Sequence, residues 1–144
     1  MRLTTRAQYS LRAMLDLSLH AQREPVSVRT MAARQQLPAP YLEKLLMALR
    51  RAELVESVRG VQGGYRLARP AETIWVGQIL AAVGETLSLP PRGGDPLADW
   101  VSASLWKRLE ARLQDALFAI SLADLYYDAR SRAAAQDLEG QFVV

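Results

Sequence analysis

The sequence predicts a mainly α-helical protein with a small β-hairpin wing: a winged helix-turn-helix with a long dimerisation helix behind it. Three observations predict it. Leu42, Leu45, Leu46 and Leu49 recur at helical spacing directly after the tight turn Gln36-Leu37-Pro38-Ala39-Pro40. Two short extended-type segments, 54–59 and 65–68, flank the glycine-rich tip Gly60-Val61-Gln62-Gly63-Gly64. Trp106, Leu109, Leu113, Ala116 and Ile120 follow one another in steps of three and four, the spacing of a coiled-coil seam.

Taken in order, the first helix starts at Thr4 or Thr5, either of which can cap it, and runs to about Leu19. Ala7, Leu11, Met14, Leu15 and Ser18 form its expected buried stripe. Glu24-Pro25 ends that segment, and Val26 makes a short extended piece. Ser27 is placed to cap a second helix over 28–36, with Val28, Met31 and Ala32 inward. Pro38 cannot continue it, and Pro40 suits the first position of the next. The third helix, about 41–52, buries its leucines and leaves Pro40, Glu43, Lys44, Met47 and Arg51 on the opposite face.

After the hairpin, Val76, Ile79, Leu80 and Val83 give another helical stripe, starting beyond Thr73. Residues 84–96 read as a Gly- and Pro-rich loop. Asp95-Pro96 then opens a long helix to about Ala119, on the order of 35 Å at 1.5 Å per residue. Leu105 and Leu117 widen its seam. Two heptads are too few to hold a partner alone, so this helix is also expected to pack on the globular part. Ser121-Leu122-Ala123-Asp124 resembles a capping box opening a short last helix, and from Ser131 the chain reads as polar and frayed. The expected division is 1–83 for DNA binding, 84–96 as a loop, 97–130 for dimerisation and the last helix, and 131–144 as a tail.

Charge is divided unevenly. Residues 1–69 carry twelve Lys and Arg against five acids, net +7; the remainder carries six against ten, net −4. A basic half on an acidic scaffold suits a polyanion such as double-stranded DNA. The chain has no cysteine, hence no disulfide, thiolate nucleophile or sulfur ligand, as suits a reducing cytosol. No apolar h-region follows the first charges, and no apolar run approaches a membrane span. A cytoplasmic protein without membrane attachment is expected.

No catalytic set emerges, since one histidine and no cysteine leave no nucleophile–base pair in a marked setting; an enzyme is not expected. Gly60, Gly63 and Gly64 lack the following lysine and helix of a phosphate-binding loop, so they read as a wing tip. His20 has no second ligand at metal spacing. Trp75, Trp100 and Trp106 read as core and interface packing rather than a small-molecule pocket. Glu43 is placed to accept from a cytosine amino group, and Arg59, at the wing's shoulder, to enter a minor groove.

Several segments carry a family resemblance. They are 1–17 (Met-Arg-Leu-Thr-Thr-Arg-Ala-Gln-Tyr-Ser-Leu-Arg-Ala-Met-Leu-Asp-Leu), Tyr41-Leu42-Glu43-Lys44-Leu45, and 54–65 (Leu-Val-Glu-Ser-Val-Arg-Gly-Val-Gln-Gly-Gly-Tyr). Ile74-Trp75-Val76-Gly77-Gln78-Ile79 and the stretch from Leu105-Trp106 to Leu109 continue it over about 130 residues. In these the sequence resembles the IscR/NsrR/CymR family of bacterial regulators. The resemblance implies homodimers on palindromic promoter sites. It places Glu43 and Lys44 in the recognition helix, Arg59 on the wing, and Thr5, Arg6 and Tyr9 near phosphates.

Departures from the family pattern shape the mechanism. Many members hold an iron–sulfur cluster through three cysteines in the loop before the dimerisation helix, helped by a residue such as histidine. Here the loop 85–96 has no thiol, and Ala103 stands at the histidine position. Pro38 and Pro40 replace turn hydroxyls, so no particular DNA sequence is carried over. The expectation is a cofactor-free homodimeric regulator of transcription, acting chiefly as a repressor, with a regulatory protein or small molecule as a further partner. The alternative is a protein-interaction module whose basic face docks an acidic partner. A third reading holds a metal through oxygen ligands such as Asp95 and Asp99.

Overall fold

The computed structural model describes residues 3–86 and 93–142. Half of the expected 84–96 loop, residues 87–92, lies outside them. Helix α1 (Thr5–His20) begins where Thr4 Oγ1 accepts from the Ala7 amide at 3.2 Å. Its buried face comprises Ala7, Ser10, Ala13, Met14, Asp16, Leu17 and Ser18, whereas Leu11 and Leu15 of the expected stripe are only half-buried. This face is wider than one stripe because α1 is the hub of the fold, packing against the second, third, fourth and last helices and the hairpin. Its buried polar groups are satisfied. Ser10 and Ser18 donate to carbonyls one turn back, and Asp16 accepts from Arg34 and Gln35.

Helix α2 (Val28–Gln35) starts at Ser27, whose hydroxyl accepts from the Thr30 amide at 3.1 Å. It ends on Gln36 in the left-handed region, φ 54°. That residue turns the chain so that Leu37 enters the core and Pro38 leads into α3 (Ala39–Arg51). In α3 the four leucines are buried as expected. Strands β1 (Val55–Val58) and β2 (Gly64–Leu67) pair antiparallel, with Val55 opposite Leu67 and Val58 opposite Gly64. Val26 adds a third, one-residue strand: its amide donates to the Tyr65 carbonyl at 2.9 Å, and its carbonyl accepts from Tyr65 at 2.8 Å. Gly64 permits this approach, since a Cβ there would run into the Val26 carbonyl.

A 3-10 turn (Ala71–Thr73) leads to α4 (Val76–Ala82), which buries Val76, Gly77, Ile79 and Leu80. Helix α5 (Pro96–Leu117) is capped by Asp95, whose carboxylate accepts from the Ala98 amide at 2.8 Å. Twenty-two residues make it about 33 Å long. It is joined to the globular part at its C-terminal end. There Leu117 packs on the Ala7–Val76–Leu80 cluster, and the Phe118 ring lies against Gly77, where a Cβ would collide with it. Leu117 therefore faces the globular part rather than widening the seam.

The last helix, α6 (Leu122–Phe142), opens with the expected reciprocal cap between Ser121 and Asp124. It is not short, however: helical backbone continues from Ser131 to Phe142 in the stretch read as a frayed tail, whose residues 143–144 lie outside the described residues. Two further backbone bonds tie the α5–α6 junction to α4: Val76 to the Ile120 carbonyl at 2.9 Å, and Leu122 to the Ile74 carbonyl at 2.7 Å. Leu122 is thereby fully buried in the main core. No helix among the described residues is long and apolar enough to cross a membrane.

Candidate nucleic-acid interface

Burying Leu42, Leu45, Leu46 and Leu49 leaves the other side of α3 outward. Lys44, Met47, Arg50 and Arg51 are exposed there, while Glu43 is half-buried toward the hairpin. Arg51 bends back along its own helix, its Nε donating to the Met47 carbonyl at 3.4 Å. Arg59, directly after β1, is exposed. Among the described residues neither Lys44 nor Arg59 forms an ion pair.

The first turn of α1 lies near the same region. Tyr9 meets Tyr41, in the first turn of α3, edge-on, with ring centroids 5.7 Å apart and planes at 75°. Thr5 is exposed. Arg6 is already engaged: it donates to the Gly84 carbonyl at 3.3 Å and stands 4.0 Å from the Glu85 carboxylate. The same carboxylate accepts from the Thr4 hydroxyl. The start of the linker thus sits on the cationic end of α1, a contact that nothing in the local sequence pattern signals.

Two more engaged groups escape sequence reasoning. Tyr65 Oη donates to Glu43 Oε1 at 3.0 Å, from the hairpin to α3. Burial pushes the Tyr65 phenol up, and the bond to Glu43 pushes it further, while Arg50 opposes them. Asp16 in α1 is bound by Arg34 Nε at 2.8 Å, Arg34 Nη2 at 3.0 Å and Gln35 Nε2 at 2.7 Å. This bond holds the Arg34 guanidinium above its ordinary range and locks α1 against α2. Tyr65 lies in the quoted Gly-Gly-Tyr motif, but no spacing rule joins position 65 to 43.

Helix α5 presents the second candidate surface. It has no buried residue. Of the seam, Trp106, Leu109 and Ile120 are 44, 49 and 40% exposed, Ala116 is exposed and Leu113 is half-buried. The apolar surface extends further than the seam: Leu97, Trp100, Val101 and Leu105 are 72, 69, 53 and 43% exposed. Trp106 Nε1 is satisfied by Ser102 Oγ at 3.1 Å along the helix. Trp100 and Trp106 line this face rather than a cavity, while Trp75 stands half-buried at the start of α4. His20 is exposed at the end of α1.

Two helices meeting at a tight turn, the second with one buried and one free face, followed by a hairpin, define a winged helix-turn-helix DNA-binding protein. The family model described as Rrf2, iron-dependent transcriptional regulator, matches residues 3–128. The chain belongs to the Rrf2 family of transcriptional regulators. A chain of Synechocystis sp., slr0846, which bears a provisional name as an HTH-type transcriptional regulator, is 50% identical over the whole of both chains. IscR of Vibrio vulnificus is 39% identical over 135 residues, covering 89% of this chain and 79% of that one. Among solved structures, IscR of T. potens superposes with a TM-score of 0.75 at 39% identity, covering 90 and 88% of the two chains. CymR of B. subtilis, titled the global cysteine regulator, gives 0.76 at 29% identity, covering 88 and 97%.

Iron in the family description finds no matching donor set. An iron–sulfur cluster is held chiefly by thiolates, and the chain has none. Among the described residues no three His, Asp or Glu gather at metal distance. Asp95 of the oxygen-ligand reading is committed to capping α5, with Asp99 half-buried in the turn above it.

Proposed function

We propose that this regulator works in the cytoplasm as a homodimer, binds palindromic promoter sites sequence-specifically without an iron–sulfur cluster, and represses transcription. The observation that carries DNA recognition is the exposed face of α3 beside the hairpin, with Lys44, Arg51 and Arg59 outward and four leucines anchoring the helix from behind. In this reading α3 enters a major groove with Glu43 opposite a base amino group and Lys44 and Arg51 beside phosphates. Arg59 enters the neighbouring minor groove, and Thr5, Arg6 and Tyr9 flank the backbone.

Dimerisation is supported by α5, whose six apolar side chains from Leu97 to Leu109 are each at least 43% exposed. A contiguous patch of that kind marks an interaction surface, and a helix with a seam at heptad spacing suits its own copy. Two-fold pairing would present two recognition helices to half-sites about one helical turn apart, hence palindromes. Repression follows from occupancy, because a dimer seated on a promoter occludes it.

Footprinting on the chain's own promoter, followed by affinity measured across salt, tests the reading. Log affinity should fall steeply with log salt as several counterions are released. A flat response, or saturable binding only to an acidic protein, would overturn it.

A further inference from the structure

Tyr65 belongs to the core in every respect but one. Its residue is 7% exposed, and its amide and carbonyl are both bonded to Val26. The ring is thus held by the sheet on one side and by the core on the other. Only the hydroxyl reaches beyond, and it ends 3.0 Å from Glu43 Oε1.

A glutamate on a helix surface ordinarily samples several rotamers, and ordering it on binding costs conformational entropy. Here a rigid donor fixes one carboxylate oxygen before DNA arrives. An ionised carboxylate accepts at both oxygens, so Oε2 keeps its capacity for a base amino group. A donor bonded to a charged acceptor is also stronger than a neutral pair.

We propose that Tyr65 is a specificity-determining positioning residue, which fixes the Glu43 carboxylate through the Tyr65 Oη–Glu43 Oε1 bond and so sets discrimination at the base Glu43 faces. This rests on the reading of Glu43 as a base contact. It also joins the two reading elements mechanically, since the strand that carries Tyr65 is paired with the strand that leads into Arg59. A shift of the wing would be felt at Glu43, and the reverse.

The test measures affinities of the full chain and of Tyr65→Phe, Glu43→Ala and the double variant. The duplexes are the footprinted operator, its single-base variants and a scrambled sequence. Tyr65→Phe keeps the ring and removes only the donor. It should lower discrimination at one base position by about 5-fold, the scale of one such hydrogen bond, while scrambled-duplex affinity stays unchanged. The double variant should discriminate no worse than Glu43→Ala alone, because the tyrosine acts only through the glutamate. If Glu43→Ala discriminates like wild type, base reading by Glu43 fails and the inference falls with it. If Glu43→Ala loses discrimination while Tyr65→Phe keeps it, or if the two losses add, only the positioning role is overturned. A measurement independent of that variant's folding is ultraviolet titration of the tyrosines. Glu43→Ala should bring the most retarded phenol down in pH, and an unmoved phenol overturns the contact.

Discussion

Removing either end of the Asp16–Arg34 pair should destabilise the protein, but unequally, and the structure sets the order. The Asp16 side chain is fully buried, whereas Arg34 keeps 34% of its side chain in solvent. In Arg34→Ala the carboxylate stays buried with Gln35 as its one remaining side-chain partner. Breaking a buried pair this way costs about 3–5 kcal/mol. In Asp16→Ala the guanidinium is a third exposed already and can turn to water, so screening reduces the loss to about 2–3 kcal/mol. For a domain of this size about 3–4 °C in Tm accompanies each kcal/mol. Arg34→Ala should therefore melt roughly 9–20 °C below wild type and Asp16→Ala roughly 6–12 °C below.

Calorimetry at one fixed protein concentration makes the comparison, since association would otherwise shift Tm by mass action. The double variant should be no less stable than Arg34→Ala, because removing Asp16 also removes the stranded charge. An Asp16→Ala loss equal to or larger than the Arg34→Ala loss would refute the reasoning. It would mean that burial of the arginine, not of the carboxylate, governs the pair.

Four further outcomes are expected from the same contacts and surfaces. Leu105→Glu with Leu109→Glu, both exposed on α5, should leave the circular dichroism spectrum intact but yield a monomer by sedimentation and weaken palindrome binding. Glu85→Gln should remove the negative charge 4.0 Å from Arg6, leaving the Arg6 bond to the Gly84 carbonyl, and tighten DNA binding by about 2- to 5-fold at low salt, with little effect at high salt. Arg59→Ala should cost on the order of 1–3 kcal/mol of operator affinity, lost chiefly at positions under the wing in a base-variant panel. The raised Tyr65 pKa makes its stabilisation fully present below the unfolded value near 10 and lost as pH rises through the folded value. Wild type should therefore lose its stability advantage over Tyr65→Phe in alkaline denaturant titrations and keep it at neutral pH.

What sequence reasoning could read was local. The leucines of α3 declare its buried face through period alone, and Thr4, Ser27, Asp95 and the Ser121–Asp124 pair each cap the helix they precede. What it could not read was set by contacts between distant positions: Asp16 with Arg34, 18 residues apart, Glu43 with Tyr65, 22 apart, and Thr4 with Glu85, 81 apart. The α1 stripe was misjudged for that reason, since an aspartate belongs in a core only when a specific partner meets it there. On α5 the heptad template selected Trp106 onward, with Leu105 widening the seam, and passed over Leu97 and Val101, which lead up to Leu105. These advance by four residues and wind about 40° around the helix at each step, off any straight seam. Helix α6 outran expectation because its later residues carry no apolar period, yet Ala133, Ala134, Ala135, Leu138 and Glu139 are strong helix formers.

The proposed DNA contacts divide by what each is doing without DNA. Glu43 is bonded to Tyr65, Arg6 to the linker and Arg51 to its own helix, whereas Lys44 and Arg59 are exposed without an ion pair. A side chain already ordered loses little entropy on binding, so its contribution depends on whether its fixed geometry suits the ligand. Under the proposed base contact the fixed geometry of Glu43 favours discrimination, because a carboxylate is repelled by phosphate and rewarded only opposite a donor. Arg6 already donates to the Gly84 carbonyl and stands 4.0 Å from the Glu85 carboxylate, so the proposed phosphate contact competes with both. Lys44 and Arg59 contribute attraction at once but must be ordered. Glu85, at the start of the linker, already accepts from Thr4 and stands 4.0 Å from Arg6 at the first turn of α1. If Arg6 lies beside a phosphate as proposed, the linker acts on DNA affinity through the charge of Glu85.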